Sequence, residues 1–345
     1  MVRRDIWSST MIDVANYCMM RYYLIYVERE KRMNFSSYEK GSLLHKMIED
    51  FWIEKNGFKI PKYDSAKEFA SKAQGKWVQR IIGAEKSGRV IDWRFENEKW
   101  LIRSSLPGIC IPLYEWLVRE GPPLYSELPF EFSFLEGDNR RIFKGRIDEV
   151  RIRDGKVILR DYKSGNPLIG EMKVKHDPQM TLYSVGLCSL CKADPNFAKS
   201  LGLEAEANKF MGNPIFISEK IHPEFFMVEA LRYSNQKIPQ QVIYPTFRTD
   251  EHFFELIRMI DGVTEKINKE LIYPERGRKC DYCDVKIACE KKLSLASNNE
   301  AKDSNRQLVF DFAAPFSQQR NKIYKHKEVQ RKFRLRKKDN SLTLG

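Results

Sequence analysis

The sequence lacks any long apolar run. No stretch approaches the roughly 18 consecutive apolar residues of a membrane-spanning helix, and the first seven residues are charged where a secretory signal would be apolar. These absences predict a cytoplasmic chain without a membrane segment. The chain also lacks internal repeats, and at 345 residues it exceeds a typical single domain. We therefore expect one elaborated domain followed by a tail.

Positive charge is concentrated at the C-terminal end. Residues 291–345 hold 14 Lys and Arg against 5 Asp and Glu, a net charge of +9 out of +13 for the whole chain. Ser, Asn, Gln and Lys dominate this segment, which has too few apolar residues to form a core. We expect residues 293–345 to be a disordered, basic tail whose run at 331–338, R-K-F-R-L-R-K-K, contacts phosphates without reading sequence.

The segment 144–165, K-G-R-I-D-E-V-R-I-R-D-G-K-V-I-L-R-D-Y-K-S-G, has the pattern of a β-hairpin. Two strand-forming runs, residues 143–153 and 156–163, flank an Asp-Gly pair. This dipeptide between strand-forming runs is typical of a two-residue hairpin turn. The pattern predicts two antiparallel strands.

The chemically active side chains fall at one end of this hairpin. Side chains alternate along a strand, so Asp161 and Lys163 share a face while Tyr162 points the other way. Antiparallel pairing brings Asp148, near the start of the first strand, toward Asp161. Two carboxylates and an ammonium suit phosphodiester hydrolysis, in which carboxylates hold Mg2+ or Mn2+ and a Lys stabilises the reacting groups. The alternative is a surface hairpin whose charges are only solvated.

Two flanking segments carry further polar residues at helical spacing. Upstream, Gly41 and His45 enclose G-S-L-L-H, which opens a helical run. Downstream, Gln179 and Tyr183 are four apart on another helical run, so they share a face. Each of these residues alone is more often a packing or surface residue. The order of these residues along the chain is what indicates a particular class of protein.

The succession G-x-x-x-H, G-R-I-D, D-Y-K-S-G and Q-x-x-x-Y resembles the RecB-type branch of the PD-(D/E)xK nuclease superfamily. The resemblance implies an α/β, restriction-endonuclease-like core, in which helices flank a central mixed sheet, and metal-dependent exonuclease activity on single-stranded DNA ends. The implied roles are metal ligation by His45, Asp148, Asp161 and the backbone carbonyl of Tyr162, catalysis by Asp148, Asp161 and Lys163, and DNA contact by Gln179 and Tyr183. Glu127 resembles a family acid near the site, and Glu149 is expected to face away and serve structure.

Seven cysteines in a chain without an export signal favour metal or redox chemistry over disulfides. Cys280, Cys283 and Cys289 form C-x2-C-x5-C, a spacing typical of thiolates that bind a shared group. A cluster or a zinc ion needs a fourth ligand, for which Cys18 on the predicted N-terminal helix is the candidate. Because the motif contains no His, we favour a cluster over zinc.

One cysteine near the start and three near the end resemble the iron-sulfur subset of RecB-like nucleases. This subset includes CRISPR-associated RecB-like exonucleases, the AddB subunit of a bacterial recombination nuclease and the nuclease domain of a eukaryotic replication helicase. The resemblance implies a 4Fe-4S cluster that staples the two ends of the domain beside the DNA entrance. Its implied ligands are Cys18, Cys280, Cys283 and Cys289. Repair, recombination, replication and CRISPR adaptation are the implied processes.

A second C-x2-C is formed by Cys188 and Cys191. Their three-apart spacing on an apolar helix predicts burial against a packed face, since free Cys behaves as a small hydrophobe. The alternative is a zinc site built from Cys188, Cys191, Cys280 and Cys283, which would leave Cys18 unused.

Periodicity and turn signals predict the other elements. Helices are predicted at 8–28, 43–52, 177–193 and about 250–270, and strands at 127–134, 225–233 and 238–247. Together they form a nuclease domain at 1–292, with a mostly helical insert at about 55–125.

An apolar island, Q-L-V-F-D-F at 307–312, lies within the basic tail. Exposed aromatics are costly in a disordered segment unless a partner covers them. With Gln307, Phe310 and Phe312, the island resembles the sliding-clamp-binding peptides of replication and repair proteins. The alternative is a segment that folds back on its own domain.

A different class of function is a scaffold subunit that recruits replication, recombination or CRISPR adaptation proteins, with cleavage secondary. The intact set of His45, Asp148, Asp161 and Lys163 argues against it, since an inactive nuclease would be expected to lose an acid or the Lys. RNA as the substrate is a third, less favoured alternative.

Overall fold

The structure is a computed structural model that describes residues 6–136, 139–165, 170–210, 216–233 and 241–300. Contacts divide the chain into two units, Met1–Lys291 and Lys292–Gly345. The predicted partner peptide, with Gln307, Phe310 and Phe312, lies outside the described residues, as does the basic run at 331–338. The predicted clamp contact therefore stays a prediction.

The elements follow one another from Ile6 to Glu300, so residues 293–300, the start of the predicted disordered tail, are helical. The strands are β1 (Ile6–Trp7), β2 (Asn34–Phe35), β3 (Trp52–Lys55), β4 (Phe58–Pro61), β5 (Ile91–Asp92), β6 (Tyr125–Glu136), β7 (Asn139–Arg153), β8 (Lys156–Lys163), β9 (Ile221–Met227) and β10 (Ile243–Pro245). The α-helices are α1 (Ser9–Tyr17), α2 (Met19–Tyr22), α3 (Ser36–Glu49), α4 (Ala66–Lys86), α5 (Glu98–Ser105), α6 (Pro107–Glu120), α7 (Glu171–His176), α8 (Pro178–Ala193), α9 (Pro195–Ser200), α10 (Glu204–Phe210), α11 (Asp250–Asn268) and α12 (Lys286–Glu300). A π-helix at Tyr23–Val27 and 3-10 helices at Val228–Tyr233 and Arg278–Tyr282 are also present.

The central sheet is mixed. Its strand order is β1-β7-β8-β9-β10, and β6 pairs with the other edge of β7. Strand β7 is antiparallel to β6 and β8, whereas the pairs β1–β7 and β8–β9 are parallel. Helices cover both faces. The predicted α/β fold, with a central mixed sheet flanked by helices, is confirmed.

Each face of the sheet packs on its own apolar cluster. Helices α1, α8 and α11 cover one face, where Leu159 and Phe225 are buried. Helices α3, α4 and α6 cover the other face, where Tyr162 and Phe226 are buried. Because side chains alternate along β8 and β9, neighbouring residues enter opposite clusters. The same alternation places Asp161 and Lys163 on the face covered by α8.

The predicted hairpin is formed by β7 and β8. Its turn residues Asp154 and Gly155 both have positive φ, 52° and 71°. This left-handed pair matches the right-handed twist of the strands, as the Asp-Gly signal predicts.

Two predicted helices differ from the structure. The helix predicted at 8–28 is broken at Cys18, whose φ of −170° and ψ of 121° are extended. Apolar residues continue across this single residue, so periodicity does not reveal the break. The helix predicted at 43–52 begins at Ser36 and ends at Glu49, because Trp52 already pairs with Pro61 in a hairpin.

The two late strands are shorter than predicted. Residues 228–233 form a 3-10 helix instead of continuing β9. The next strand covers only Ile243–Pro245. The helices predicted at 177–193 and about 250–270 and the strand predicted at 127–134 are present with similar bounds.

The insert between α3 and β6 is mostly helical, as predicted. Its helices α4, α5 and α6 build the second apolar cluster around Trp77, which is fully buried. A separate two-stranded sheet, β3–β4, opens the insert. In the described part of the chain, no helix combines the length and apolar character needed to cross a membrane.

Close packing at Phe130 leads to a stability prediction. The ring lies against Gly186 of α8, where an added Cβ would be 2.6 Å from ring atoms. We expect Gly186→Ala to destabilise the protein by about 1 to 3 kcal/mol, because the ring must shift within a packed core. Chemical denaturation measures the change.

The matched control is Gly75→Ala in α4, where no heavy atom lies within 4 Å of an added Cβ. Both substitutions add the same helix propensity, so only the contact with Phe130 differs. We expect Gly75→Ala to leave stability unchanged or to raise it slightly. Equal stability of the two variants would contradict the packing argument.

Candidate active site

The site lies where β7 and β8 separate. Their antiparallel ladder ends at the pair Glu149–Arg160, so Asp148 and Asp161 stand where the next pair would form. The backbone N–H of Tyr162 donates to Oδ2 of Asp148 at 3.0 Å. The carboxylate thus accepts the N–H that a continued ladder would have bound to a carbonyl.

The ladder between β6 and β7 is also interrupted at Asp148. Pairing runs from Ser126–Glu149 to Leu128–Ile147 and skips Glu127 opposite Asp148. Glu127 has a φ of 51°, a left-handed conformation that is uncommon for a residue other than glycine. Its carboxylate pairs with Nη1 of Arg146 at 3.2 Å. Local strain of this kind is typical of functional sites.

A continuous chain of contacts joins five predicted site residues. Nζ of Lys163 lies 2.7 Å from Oδ2 of Asp161 and donates to Oε1 of Gln179 at 2.8 Å. Nε2 of Gln179 donates to the hydroxyl of Tyr183 at 2.7 Å. That hydroxyl lies 3.2 Å from Oδ1 of Asp148 and 3.3 Å from Oδ1 of Asp161, as a donor shared between the two acids. The structure thus brings together residues up to 35 positions apart in sequence.

The charges at this spot are unbalanced. Burial and the neighbouring charge of Asp161 raise the pKa of Asp148 well above its ordinary value. Burial lowers the pKa of Lys163, but the carboxylates of Asp161 and Asp177 outweigh it and raise the pKa above the ordinary value. Lys163 is therefore a permanent cation at neutral pH and acts as a donor rather than as a base. Two acids remain beside a single ammonium.

Tyr183 positions the acids from within the core. Its side chain is 3% exposed. Burial and the charge of Asp161 raise the pKa of its hydroxyl well above the ordinary value, so the group stays a neutral donor. Gln179, which is only half-buried, is the member of the predicted DNA-contacting pair that remains accessible.

Helix α3 supplies His45 from the other side of the site. Nδ1 of His45 lies 3.5 Å from Oδ2 of Asp148. The helix approaches the end of β8 closely at Gly41, where an added Cβ would be 2.6 Å from Oγ of Ser164. The Gly four residues before the His therefore permits the approach that places the imidazole beside the acid.

A small cavity lies among these groups. Its charged lining residues are His45, Glu49, Glu127, Asp148 and Glu149, and its volume is about 10 Å³. This is about the space of one water molecule or ion. Carboxylates with one imidazole suit a small divalent cation, which would also offset the unbalanced acids. Among the residues that the structure describes, however, no group of three or more His, Cys, Asp or Glu side chains is arranged to hold a metal ion.

The start of α8 is stabilised by a buried acid, Asp177, that was not predicted from the sequence. Asp177 caps this helix, accepting from the N–H of Gln179 at 2.9 Å, and its side chain is fully buried. Burial and the charge of Asp177 raise the pKa of Asp13 in α1. Asp followed by Pro at the start of a helical run could have identified the cap.

Arg248 stabilises the junction between α7 and α8, and no pattern in the sequence predicts this role. It is buried, and its guanidinium donates to Oγ1 of Thr181 at 3.1 Å and to the carbonyls of Val174 and Asp177 at 2.9 and 3.3 Å. Burial lowers its pKa to about 10. These contacts fix the backbone that presents Gln179 to Lys163.

The opposite face of the strands carries a buried ionic network. The hydroxyl of Tyr162 donates to Glu149 at 2.6 Å. Arg160 is fully buried and contacts Glu224 at 2.5 Å and Glu120 at 3.0 Å. Glu149 belongs to this network and also borders the small cavity beside Asp148. Its purely structural role stays a prediction.

The four predicted cluster ligands lie near one another, although in the described residues they do not form a group arranged to hold a metal. Cys18, Cys283 and Cys289 pack against a small apolar cluster formed by α2, the π-helix and Val285. Sγ of Cys18 accepts from the N–H of Glu275 at 3.5 Å, and the Cys280 thiol donates to the Glu275 carbonyl at 3.9 Å. Burial and the nearby sulfurs raise the pKa of Cys289 to about 11. The extended backbone at Cys18 separates α1 from α2 at this point.

The other C-x2-C has different surroundings. Cys188 and Cys191 are buried in the main apolar core around α8, as the packing prediction expected. Cys283, by contrast, packs against the small cluster at the domain ends. The alternative zinc site would require all of these residues to meet, and their placement in separate clusters does not support it.

Asp284 ties the two domain ends together. Its fully buried carboxylate pairs with Nε of Arg21 at 2.7 Å and with Nε of Arg32 at 2.5 Å. Burial raises its pKa, but the two guanidinium groups outweigh burial and hold the pKa below the ordinary value. This carboxylate thus links the N-terminal segment to the Cys-rich segment independently of any bound group.

A mixed sheet with two acids and a lysine at the end of one hairpin is the architecture of metal-dependent nucleases. The chain matches the family model described as the PD-(D/E)XK nuclease superfamily over residues 6–290, and it belongs to this superfamily. A search of curated proteins gave no significant match. Members of the superfamily are generally nucleases that use Mg2+ or Mn2+ to hydrolyse phosphodiesters.

The approach at Gly41 leads to a prediction about activity. The methyl group added in Gly41→Ala would meet Oγ of Ser164. Either this hydroxyl rotates away or α3 shifts, and we predict that α3 shifts and displaces His45 from Asp148. We expect nuclease activity to fall on the order of 10- to 100-fold, since small misplacements near reacting groups are costly. Steady-state cleavage of labelled DNA with Mn2+ measures it.

Ser164→Ala provides the control, because it removes the Oγ that a Cβ added at position 41 would meet, and the remaining Ser164 Cβ lies 3.9 Å away. We expect the double variant to recover most of the activity. Full activity of Gly41→Ala alone, or failure of the double variant to recover while folded, would refute the steric explanation.

Proposed function

We propose that this protein is a cytoplasmic, RecB-like DNA exonuclease that acts on single-stranded ends and carries a 4Fe-4S cluster. Repair, recombination, replication and CRISPR adaptation are the processes in which such an activity serves. One observation carries the proposal: Asp148, Asp161, Lys163, Gln179 and Tyr183 form a single chain of contacts. A surface hairpin with solvated charges would not bury these groups together.

The residues have distinct roles in this proposal. Asp148, Asp161 and His45 hold the metal, with the backbone carbonyl of Tyr162 as a further ligand. Mg2+ or Mn2+, when bound, supplies a water that is easier to deprotonate and offsets charge on the scissile phosphate.

The side chains of the protein orient the reacting groups and stabilise the charge that develops on them. Lys163 stays protonated and donates to the attacking water or to the phosphate oxygens, where negative charge develops. Tyr183 holds the two carboxylates in place and does not touch the substrate, because its hydroxyl is buried between them. Gln179 orients Lys163 and contacts the strand from its exposed side.

The cluster proposal rests on the Cys-rich segment. Four sulfurs from the two ends of the domain share one neighbourhood, and none of their neighbours in the motif is a His. Thiolates are the usual ligands of iron-sulfur clusters, whereas zinc sites often include His. The raised pKa values of Cys283 and Cys289 favour protonated thiols in the free protein, and bound iron would displace these protons.

We expect Asp161→Ala and Lys163→Ala to abolish cleavage while preserving the fold. Removal of a group that stabilises charge in the transition state costs on the order of 100- to 1000-fold. End-labelled single-stranded DNA with Mn2+ is the assay. Lys156→Ala, at the exposed opposite end of β8, should retain activity.

A thermal-shift measurement separates metal binding from catalysis. Mn2+ should raise the Tm of the wild type and of Lys163→Ala, because a ligand that binds only the folded state stabilises it. It should raise the Tm of Asp161→Ala less or not at all. Unchanged turnover in both variants would remove the basis of the active-site assignment.

We expect anaerobically purified protein to be brown and to contain iron and sulfide. Cys18→Ala should lose the visible absorption and the iron, because a ligand is missing. Cys188→Ala should keep both, since that residue belongs to the core. A colourless wild type with bound zinc, or loss of metal in Cys188→Ala instead of Cys18→Ala, would favour the zinc alternative.

A further inference from the structure

The hairpin β3–β4 projects from the domain and ends in an exposed aromatic residue. Residues 53–59 are all exposed, and the side chain of Phe58 is 73% exposed. No other aromatic side chain in the described ranges is more exposed. The hairpin pairs with no further strand there, so this ring has no packing role within the sheet.

The tip of the hairpin is stiff. Asn56 and Gly57 have φ values of 53° and 77°, the two-residue turn that matches strand twist. Lys55 pairs directly with Phe58 across this turn. The ring is therefore held at a fixed place by backbone pairing rather than carried on a loop.

The base of the hairpin is anchored, which an isolated two-stranded hairpin requires. Phe51 is fully buried in an aromatic cluster, and its carbonyl accepts from the N–H of Lys62 at 2.8 Å. Nζ of Lys59 donates to the carbonyls of Pro123 and Leu124 at 2.9 and 3.2 Å. The hairpin is thus fixed to the segment that leads into β6.

The base of the hairpin also borders the active site. Trp52, the first residue of β3, lines the same cavity as His45 and Asp148. Three residues of β3 and the turn separate Trp52 from the tip, a distance of about 13 Å at the usual rise of a strand. This corresponds to about four nucleotides of a duplex strand.

The charge of the hairpin suits nucleic acid. Its segment from Trp52 to Lys62 carries Lys55, Lys59 and Lys62 against Glu54 as the only acid. An exposed apolar ring among lysines, close to a nuclease site, has the composition of side chains that insert between base steps or stack on bases.

We infer that the hairpin β3–β4 is a wedge that opens the end of a DNA duplex, with Phe58 stacked on the last base pair. One strand then passes along β3 to the active site, and the other is excluded. This inference rests on the proposed nuclease function and adds duplex ends to its substrates. It also gives the exposed ring a partner of defined chemistry.

The test compares two substrates of the same sequence in full-length protein with Mn2+. One is a single-stranded oligonucleotide, and the other is a duplex with a short single-stranded overhang. We expect Phe58→Ala to lower kcat/KM on the duplex about 10-fold while changing the single-strand value less than about 2-fold, since stacking matters only where a pair must open. Phe58→Trp should retain duplex cleavage.

Val90→Ala is the control, because Val90 is another exposed apolar residue of the insert, 81% exposed and outside the hairpin. Its ratio of duplex to single-strand cleavage should equal that of the wild type. An unchanged ratio in Phe58→Ala would overturn the wedge. So would an equal loss on both substrates, which would make Phe58 a general strand contact.

A second measurement separates failure of the wedge from failure of the nuclease proposal. Asp161→Ala protein is mixed with a duplex that carries 2-aminopurine at its terminal pair, whose fluorescence rises when the pair opens. We expect opening with Asp161→Ala and none with the Asp161→Ala, Phe58→Ala double variant. Phe58-dependent opening by Asp161→Ala, combined with wild-type protein that cleaves neither substrate with Mn2+, would support the wedge and refute the nuclease. Opening by both variants would overturn the wedge.

Discussion

The structure depends on holding two carboxylates side by side at the end of a hairpin. Charged groups at such a place are destabilising unless they are paired and hydrogen-bonded. Asp148 therefore accepts a backbone N–H, and Asp161 lies against the ammonium of Lys163. The hydroxyl of Tyr183 is shared between the two acids. These contacts lessen the repulsion without removing it, and a divalent cation would offset the charge that remains.

The same strand carries this site on one face and a structural ionic network on the other. Arg160 is fully buried among Glu224, Glu120 and Glu149, one residue away from Asp161. Breaking such a network by removing one partner leaves an uncompensated buried charge, so its members hold one another in place. Glu120 ends α6, and the network therefore ties the helical insert to the strand that presents the site. Fixed geometry on β8 is what allows small side chains to act together.

Two buried side chains join segments that are distant in sequence around the sheet. Asp284 pairs with Arg21 and Arg32 and links the first helices to the Cys-rich end. Arg248 joins α7 and α8 and fixes the cap residue Asp177. Both are single buried polar residues, and the contacts that join these segments span more than 60 positions, so no local pattern reveals them. The way these segments are held together therefore depends on the tertiary structure and cannot be predicted from local sequence.

The sequence by itself determined the hairpin, its Asp-Gly turn and the alternation that places Asp161 and Lys163 on one face, because these follow from period-two geometry and local backbone preference. The order of four motifs was enough to predict the superfamily. Only the tertiary structure decided that the ladder breaks at Asp148, that Glu127 is left-handed and that Tyr183 is buried between acids. It also decided the break at Cys18. Each of these depends on contacts across distant segments, and such contacts leave no periodic signal in the chain.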